Sequence, residues 1–434
     1  MRILRMALAL GLGLLVACLD FSKFEPRPGP AVDAGCATGR VTCGTRAEDI
    51  CATPLGTAQD CAACGDVCGS YCATDHCVGP VQLRLGRTFS CARLADGTVG
   101  CWGDNSFSEL GADVSVVTRP KPDLVPGVHD ATALALGNSF GCVLTARGTV
   151  ECWGRNLEGE LGDGTVLNRP DPRAVVGVEG AVEVACGHGH ACARMDGGAL
   201  WCWGNNSNGQ LGNGLTGASY TPTPVLGLPT TTSTVQLALG RQSSCARMQS
   251  GEVFCWGRNQ AGQVGDGTLT QRTAAVKVTG LMDAVDLSAG ANDFCAVRDG
   301  GFPVCWGDNG NGELAQPPDT VPYRATVSGI GNGLNKMGHI EVADSTVCNV
   351  RSDDTLFCWG ANDGGEVGNG TVNTPVTIPT GLGGQNVSEF AGGAWHFCLR
   401  SPSDVIRCWG DNSLGQLGQP LSVPLATRPT AVTW

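Results

Sequence analysis

The sequence predicts an all-β protein, a seven-bladed β-propeller preceded by a small disulfide-rich module. Three observations predict it. Cys-Trp-Gly occurs at 101–103, 152–154, 202–204, 255–257, 305–307, 358–360 and 408–410, in steps of 50 to 53 residues. A fixed period of that size marks a repeat architecture. Each period reads as four short strands separated by Gly- and Pro-rich turns, the arithmetic of propeller blades. Finally, the chain has 24 cysteines, and eight of them (Cys36, Cys43, Cys51, Cys61, Cys64, Cys68, Cys72 and Cys77) crowd a stretch with few aliphatic residues.

The 434 residues carry 28 Lys and Arg against 40 Asp and Glu, a formal charge of −12. That balance argues against binding nucleic acid through phosphate neutralisation. With 42% hydrophobic and only 16% charged residues, the chain is neither disordered nor a coiled coil.

The elements follow in chain order. Residues 1–17 read as a signal peptide: a basic start with Arg2 and Arg5, an apolar run from Met6 to Ala17, and Leu15-Val16-Ala17 ahead of Cys18. The run is too short to span a bilayer. Leu15–Cys18 resembles the lipobox of bacterial lipoproteins, and the resemblance implies cleavage before Cys18, lipidation of that Cys and a membrane-anchored place in the cell envelope. No later apolar run reaches 18 residues, so the lipid would be the anchor. Residues 18–35 hold three prolines and read as an extended tether. Residues 36–80 form the cysteine module. In an exported chain such spacing signals disulfides of open connectivity, with zinc at Cys61, Cys64, Cys68 and Cys72 the weaker reading.

Residues 81–434 are the propeller. A repeat opens with an alternating strand ending in Gly, such as Val81–Gly86. A tight loop leads to a strand containing Cys, and a turn leads to a third strand ending in Cys-Trp-Gly. A polar Asn-x-x-Gly-Glu/Gln-Leu/Val-Gly loop follows, as at Asn156–Gly162, and then a Pro-flanked fourth strand. These residues resemble the regulator of chromosome condensation (RCC1) repeat over 81–434. Departures are visible: the repeat's His occurs only as His190 and His396, Ser108 replaces the first loop Gly, and Ala315 replaces the last Gly of repeat five. The nuclear family member is an exchange factor for a small GTPase, an activity out of place in an exported chain. Secreted members that block an enzyme with one propeller face are the nearer analogy.

Every Cys-Trp-Gly cysteine has a partner ten residues earlier: Cys91–Cys101, Cys142–Cys152, Cys192–Cys202, Cys245–Cys255, Cys295–Cys305, Cys348–Cys358 and Cys398–Cys408. A hairpin with a three-residue loop sets these opposite each other and within disulfide reach. The third loop residue must take αL, and it is Gly in five repeats and Asp354 or Asp404 in the other two. Cys186 is left over, and its place among Leu85, Leu136 and Leu239 suggests a buried, unpaired thiol.

Catalytic patterns are weak. Gly137–Gly141 matches G-x-S-x-G but lies between strands instead of at a strand-to-helix elbow. Cys186, His188 and His190 have metal-like spacing, and Asp308–Glu313 faintly resembles a calcium loop with too few carboxylates. The reading is therefore no enzyme, no cofactor and no metal. The first and third loops of each repeat should share one face, and the hairpin turns the other. The candidate binding face comprises Arg87, Phe89, Phe140, Arg155, His188, Arg241, Arg258, Asp293 and Trp395, a mixture protein interfaces favour. The expectation is a monomeric, non-enzymatic module binding an unknown envelope protein. The alternative is polysaccharide stacked on Phe89, Phe140 and Trp395. One topological expectation concerns closure: the last strand, Arg428–Trp434, would pair with the first, Val81–Gly86, and latch the ring.

Overall fold

The structure is a computed structural model. It describes residues 78–432 apart from 319–322, 331–336 and 384, together with short strands at Arg40–Val41, Thr53–Pro54, Tyr71–Ala73 and His76–Val78. The signal peptide, Cys18, the tether, most of the cysteine module and Trp434 lie outside the described residues.

Seven four-stranded antiparallel sheets follow one another along the chain. Blade 1 consists of Pro80–Leu85, Phe89–Leu94, Val99–Asp104 and Thr118–Leu124. The next five begin with Ala131–Leu136, Ala181–Cys186, Thr234–Leu239, Ala284–Ala289 and Met337–Val342. Blade 7 consists of Glu389–Gly392, His396–Arg400, Ile406–Asp411 and Leu425–Ala431. In every blade the strands pair in chain order, and the first strands line a central channel of about 580 Å³.

Cys-Trp-Gly is explained by strand geometry. Neighbouring residues on a strand point to opposite faces of the sheet. In every blade the Cys therefore faces the following blade and the Trp the preceding one. Seven apolar clusters fill the seven seams, each combining the disulfide of one blade with the Trp of the next: Cys91 and Cys101 with Trp153 in one, Cys398 and Cys408 with Trp102 in another. All seven Trp side chains are completely buried. The Gly has φ between +100° and +109° in every repeat. A Cβ there would approach a first-loop carbonyl oxygen to 2.4–2.7 Å, so only Gly allows the loop to close over the strand.

The hairpin reading is met. Each pair of cysteines is in direct register, with Cα atoms 4.0–4.2 Å apart, and all seven are bonded. The third loop residue takes φ of +75° to +89° where it is Gly, and +62° and +59° at Asp354 and Asp404.

Among the described residues the expected latch is absent. Leu425–Ala431 pairs only with Ile406–Asp411, through Arg407↔Ala431 to Asp411↔Leu425. Each blade is one whole repeat. The cause is a buried Asn in the third loop. In blade 1 Asn105 donates from its backbone N–H to the Val117 carbonyl at 2.8 Å and from Nδ2 to Val116 at 2.8 Å. In blade 7 Asn412 does the same to Pro424 at 2.8 Å and Val423 at 2.7 Å. These bonds fold the fourth strand back onto the third strand of its own repeat. The ring is closed by side chains instead. Glu389 accepts the Leu83 N–H at 3.1 Å and pairs with Arg84 at 3.0 Å, and Trp102 Nε1 donates to the Gln416 carbonyl at 2.9 Å.

Two departures from the repeat carry strain. Ser108 and Ala315 stand at φ +69° and +52°, where equivalent positions hold Gly. Left-handed backbone costs a non-Gly residue about 1–2 kcal/mol, and Gly returns about 0.4–1 kcal/mol of unfolded-state entropy. Ala315→Gly and Ser108→Gly should each stabilise the propeller by about 0.5–1 kcal/mol. Denaturant unfolding would show this as a raised midpoint at constant m-value, whereas Gly265→Ala in the equivalent loop should lower it.

Candidate functional site on the loop face

The first and third loops share one face because they are bonded together. The opening residue of each third loop donates its N–H to a first-loop carbonyl: Asp104 to Thr88, Arg155 to Ser139, Asn205 to Gly189, Arg258 to Gln242, Asp308 to Asn292, Ala361 to Ser345 and Asp411 to Trp395, at 2.8–3.0 Å. Neighbouring first loops are also joined around the channel mouth, as Arg241 N–H to Ala291 and Ala291 N–H to Asp344 at 3.0 and 2.9 Å. The face is consequently a rigid presentation of loop side chains.

Of the nine predicted face residues, six reach solvent. Arg241 is exposed; Arg87, Arg155, His188 and Arg258 are half-buried. Trp395 is 39% exposed, and the Arg87 guanidinium lies 4.7 Å from its ring centroid across the seam between blades 1 and 7. His188 of blade 3 reaches Asp344 of blade 6 at 3.1 Å, bridging across the channel mouth. Arg155 pairs with Glu160, and Arg258 bonds Gln242 at 3.1 Å and Gln260 at 2.8 Å.

The other three are not on the face. Phe89, Phe140 and Asp293 are buried. They open the second strand of their blades, in the position held elsewhere by His190, Ser243, Thr346 and His396, and that position points inward into the seam. Phe89 packs so closely under Gly86 that a Cβ there would sit 2.0 Å from its ring, and Phe140 does the same under Gly137. Asp293 fills the equivalent space beneath Gly290. Burial raises its pKa, and Glu313, Asp308 and Asp344 add to the effect.

The buried histidines show what that position does. His190 Nε2 meets Ser244 Oγ of the next blade at 2.8 Å, and Ser244 Oγ donates to the Gln210 carbonyl at 2.9 Å. With the hydroxyl proton engaged there, His190 Nε2 is the donor. His396 repeats the arrangement with Ser90 at 2.9 Å across the closing seam. Burial lowers both pKa values to about 3, so both rings are neutral. With His190 held in a seam and His188 paired to Asp344, the Cys186, His188 and His190 set does not converge. Among the described residues no group of three His, Cys, Asp or Glu could hold a metal.

Cys186 is unpaired, as expected, but only half-buried: it lines the channel while packing against the apolar cluster between blades 2 and 3. Its first strand faces the channel, where Leu85, Leu136 and Leu239 also stand. The low-polarity surroundings raise its pKa. Of the fifteen cysteines from 91 to 408, only Cys186 should be alkylated in unfolded, non-reduced protein, read by peptide mass spectrometry. Modification at Cys101 or its six counterparts would contradict the blade disulfides.

A ring of buried Glu and Gln side chains lies just beneath the face, and sequence reading did not single it out. Glu109, Glu160, Gln210, Gln263, Glu313, Glu366 and Gln416 each accept a backbone N–H two residues earlier at 2.7–2.9 Å. Burial, with Asp104 nearby, pushes the Glu109 pKa up to about 7. A raised carboxyl pKa means the folded state binds the proton more tightly. Stability from this group is therefore highest below about pH 4.5 and declines as pH rises through about 7. Glu109→Gln copies the residue found in three other repeats. It should be more stable than the parent at pH 8, by about 3 kcal/mol at most, with the advantage vanishing near pH 4.5. Parallel urea titrations at the two pH values would measure the difference.

These features define a repeat-built, disulfide-bonded propeller with one face of rigid loops. Residues 147–194, 197–247 and 250–297 match the family model of the regulator of chromosome condensation (RCC1) repeat, and 131–160, 181–210 and 235–263 match a second model of that repeat. Residues 131–297 thus match RCC1 repeats, within a seven-bladed propeller.

The chain is similar to yeast RCC1 (Prp20) solved bound to Kap60, at 21% identity and a TM-score of 0.69, covering 83% of this chain and 86% of that one. It is also similar to human WBSCR16, at 22% identity and a TM-score of 0.65, covering 72% and 84%. Among curated proteins, 90 residues are 37% identical to the human E3 ubiquitin-protein ligase HERC2, which is 20% of this chain and 2% of that protein. A stretch of 84 residues is 32% identical to rat probable E3 ubiquitin-protein ligase HERC4, 19% of this chain and 8% of that protein. The chain therefore corresponds to a small part of each ligase.

Proposed function

We propose that this protein is a non-enzymatic protein-binding module, tethered to the cell envelope through lipid on Cys18 and a cysteine-rich spacer. The observation that carries the binding reading is the loop face itself. Arg241, the Arg87–Trp395 stack and the His188–Asp344 bridge are held on loops fixed to each other by backbone hydrogen bonds. Pre-ordered Arg and Trp groups lose little entropy on docking and suit a protein interface. Yeast RCC1 (Prp20), whose fold this chain shares, has been solved bound to another protein, Kap60, which is compatible with the reading. The polysaccharide alternative is weakened by the burial of Phe89 and Phe140, which leaves Trp395 as the one exposed aromatic of the three.

The anchor rests on the h-region and the Leu15–Cys18 sequence. Cys18→Ala should move the protein from the membrane pellet to the soluble fraction. For the partner, a photo-crosslinking residue at position 241 should give a discrete protein adduct in envelope extract, and one at position 250, on a hairpin turn, should not. A glycan array with the same preparation should stay blank. Adducts from 250 but not 241, or strong glycan binding without adducts, would overturn the reading.

A further inference from the structure

A second concavity lies on the loop face, apart from the central channel. It has a volume of about 400 Å³ and sits at the seam between blades 6 and 7. Asp344, Asp363 and Glu366 of blade 6, Trp395 and Asp411 of blade 7 and Asn311 of blade 5 are in its wall, and no Lys, Arg or His lines it.

The four carboxylates are not equivalent. Asp344 Oδ1 lies 3.1 Å from His188 Nε2 and has no hydrogen-bond partner among the described residues. Asp411 accepts from Ser413 and from Gln416 Nε2, both within the blade 7 loop. Asp363 is exposed and makes no hydrogen bond or ion pair among the described residues. Glu366 is only 4% exposed; its Oε2 accepts the Gly364 N–H at 2.9 Å, while Oε1 has no hydrogen-bond partner among the described residues. This oxygen stands in the wall of a cavity whose exposed carboxylate, Asp363, is three residues away in the same loop. Trp395, whose ring also lies 4.7 Å from the Arg87 guanidinium of blade 1, supplies an aromatic wall to the same cavity, and a ring face attracts a cation as well as an alkyl chain.

We propose that this cleft receives a lysine or arginine side chain of the protein partner, its stem against Trp395 and its charged head at Asp363 and Glu366 Oε1. The proposal rests on the protein-binding reading and specifies the chemistry one part of that interface selects. A metal ion fits less well, because these carboxylates do not gather into a ligand set and an aromatic wall offers a bare ion little. An acidic partner group is excluded by the wall's charge. Burial, and secondarily Asp363 and Asp411, raises the Glu366 pKa, as expected of an acid with no cation beside it.

The test uses the full chain with its ten tryptophans labelled as 5-fluorotryptophan, the Trp395 resonance being assigned from Trp395→Phe. Acetyl-Gly-Arg-Gly-amide and acetyl-Gly-Lys-Gly-amide are titrated, with acetyl-Gly-Glu-Gly-amide as control. The expected result is a saturable shift of the Trp395 signal with the basic peptides only. Asp363→Asn and Glu366→Gln should each weaken it about three- to ten-fold, with a similar loss at 0.5 M salt. Isothermal titration of unlabelled protein gives the same comparison without the label, and Glu366→Gln retains the residue type that other repeats fold with. Equal shifts with the acidic peptide, no shift at Trp395, or unchanged affinity in both variants would overturn the proposal. Adducts from position 241 that persist in Trp395→Ala and Asp363→Asn would sink the cleft and leave protein binding standing. Loss of those adducts in the parent protein would sink the protein-binding reading itself.

Discussion

The rest of the propeller depends on one hydrogen bond made seven times. Each Cys-Trp-Gly indole donates to the carbonyl of the Glu or Gln in the preceding blade's third loop: Trp153 to Glu109, Trp203 to Glu160, Trp256 to Gln210, Trp306 to Gln263, Trp359 to Glu313 and Trp409 to Glu366, at 2.7–3.0 Å. The seventh, Trp102 to Gln416, joins positions 314 apart in sequence with the same geometry. A buried indole N–H needs an acceptor, and a buried loop carbonyl needs a donor. Each bond therefore fixes the distance and rotation between two blades. Once a blade can bind its neighbour in only one way, the seventh meets the first without any special device.

That constraint also shapes the loop face. The acceptor carbonyl belongs to a residue whose side chain holds the N–H two residues back, and the Asn at the loop's start accepts the N–H of the following Leu or Val, as in Leu161 to Asn156 at 2.9 Å and Val264 to Asn259 at 2.9 Å. Packing between blades and the shape of the surface loops are thus two ends of one bonded unit. Loops so fixed cannot wander, and what varies between repeats is the side chains they display. Function on such a surface is a matter of local substitution with little backbone rearrangement.

Much of this was legible in the sequence, for definite reasons. The period of about 50 residues gives the blade count, and the ten-residue cysteine spacing with a αL-tolerant residue in the turn gives the register, because both are local. The facing of Phe89, Phe140 and Asp293 was readable too, had the residue opening each second strand been compared across repeats. It falls in one column with His190 and His396, and one inward-facing member implies all. The half-exposed Cys186 follows from its first strand lining the channel, which apolar character alone does not reveal. The phase of the blades was not legible. A shared or a whole repeat per blade leaves the pattern unchanged, and the choice is made by buried bonds such as Asn105 to Val116, which look like ordinary loop polarity in a sequence.

The same comparison separates residues that build the ring from residues free to serve another purpose. Where every repeat supplies Cys, Trp, Gly and Asn, the seams account for them completely. Glu366 belongs to a position the seams also use, yet only its backbone carbonyl and one carboxylate oxygen are engaged. Gln210, by contrast, uses its amide nitrogen as well, donating to Asn205 at 2.7 Å within its own loop. Gln416 likewise donates to Asp411 at 2.8 Å. A Gln at 366 would satisfy the seam equally well and would carry no charge. An acid there costs stability through its burial, and Asp363 beside it adds to that cost instead of relieving it. Neither the ring nor the loop asks for this pair of carboxylates. They stand in the wall of a cavity with the half-exposed Trp395, where a departure from the repeat's needs, open volume and an aromatic surface coincide.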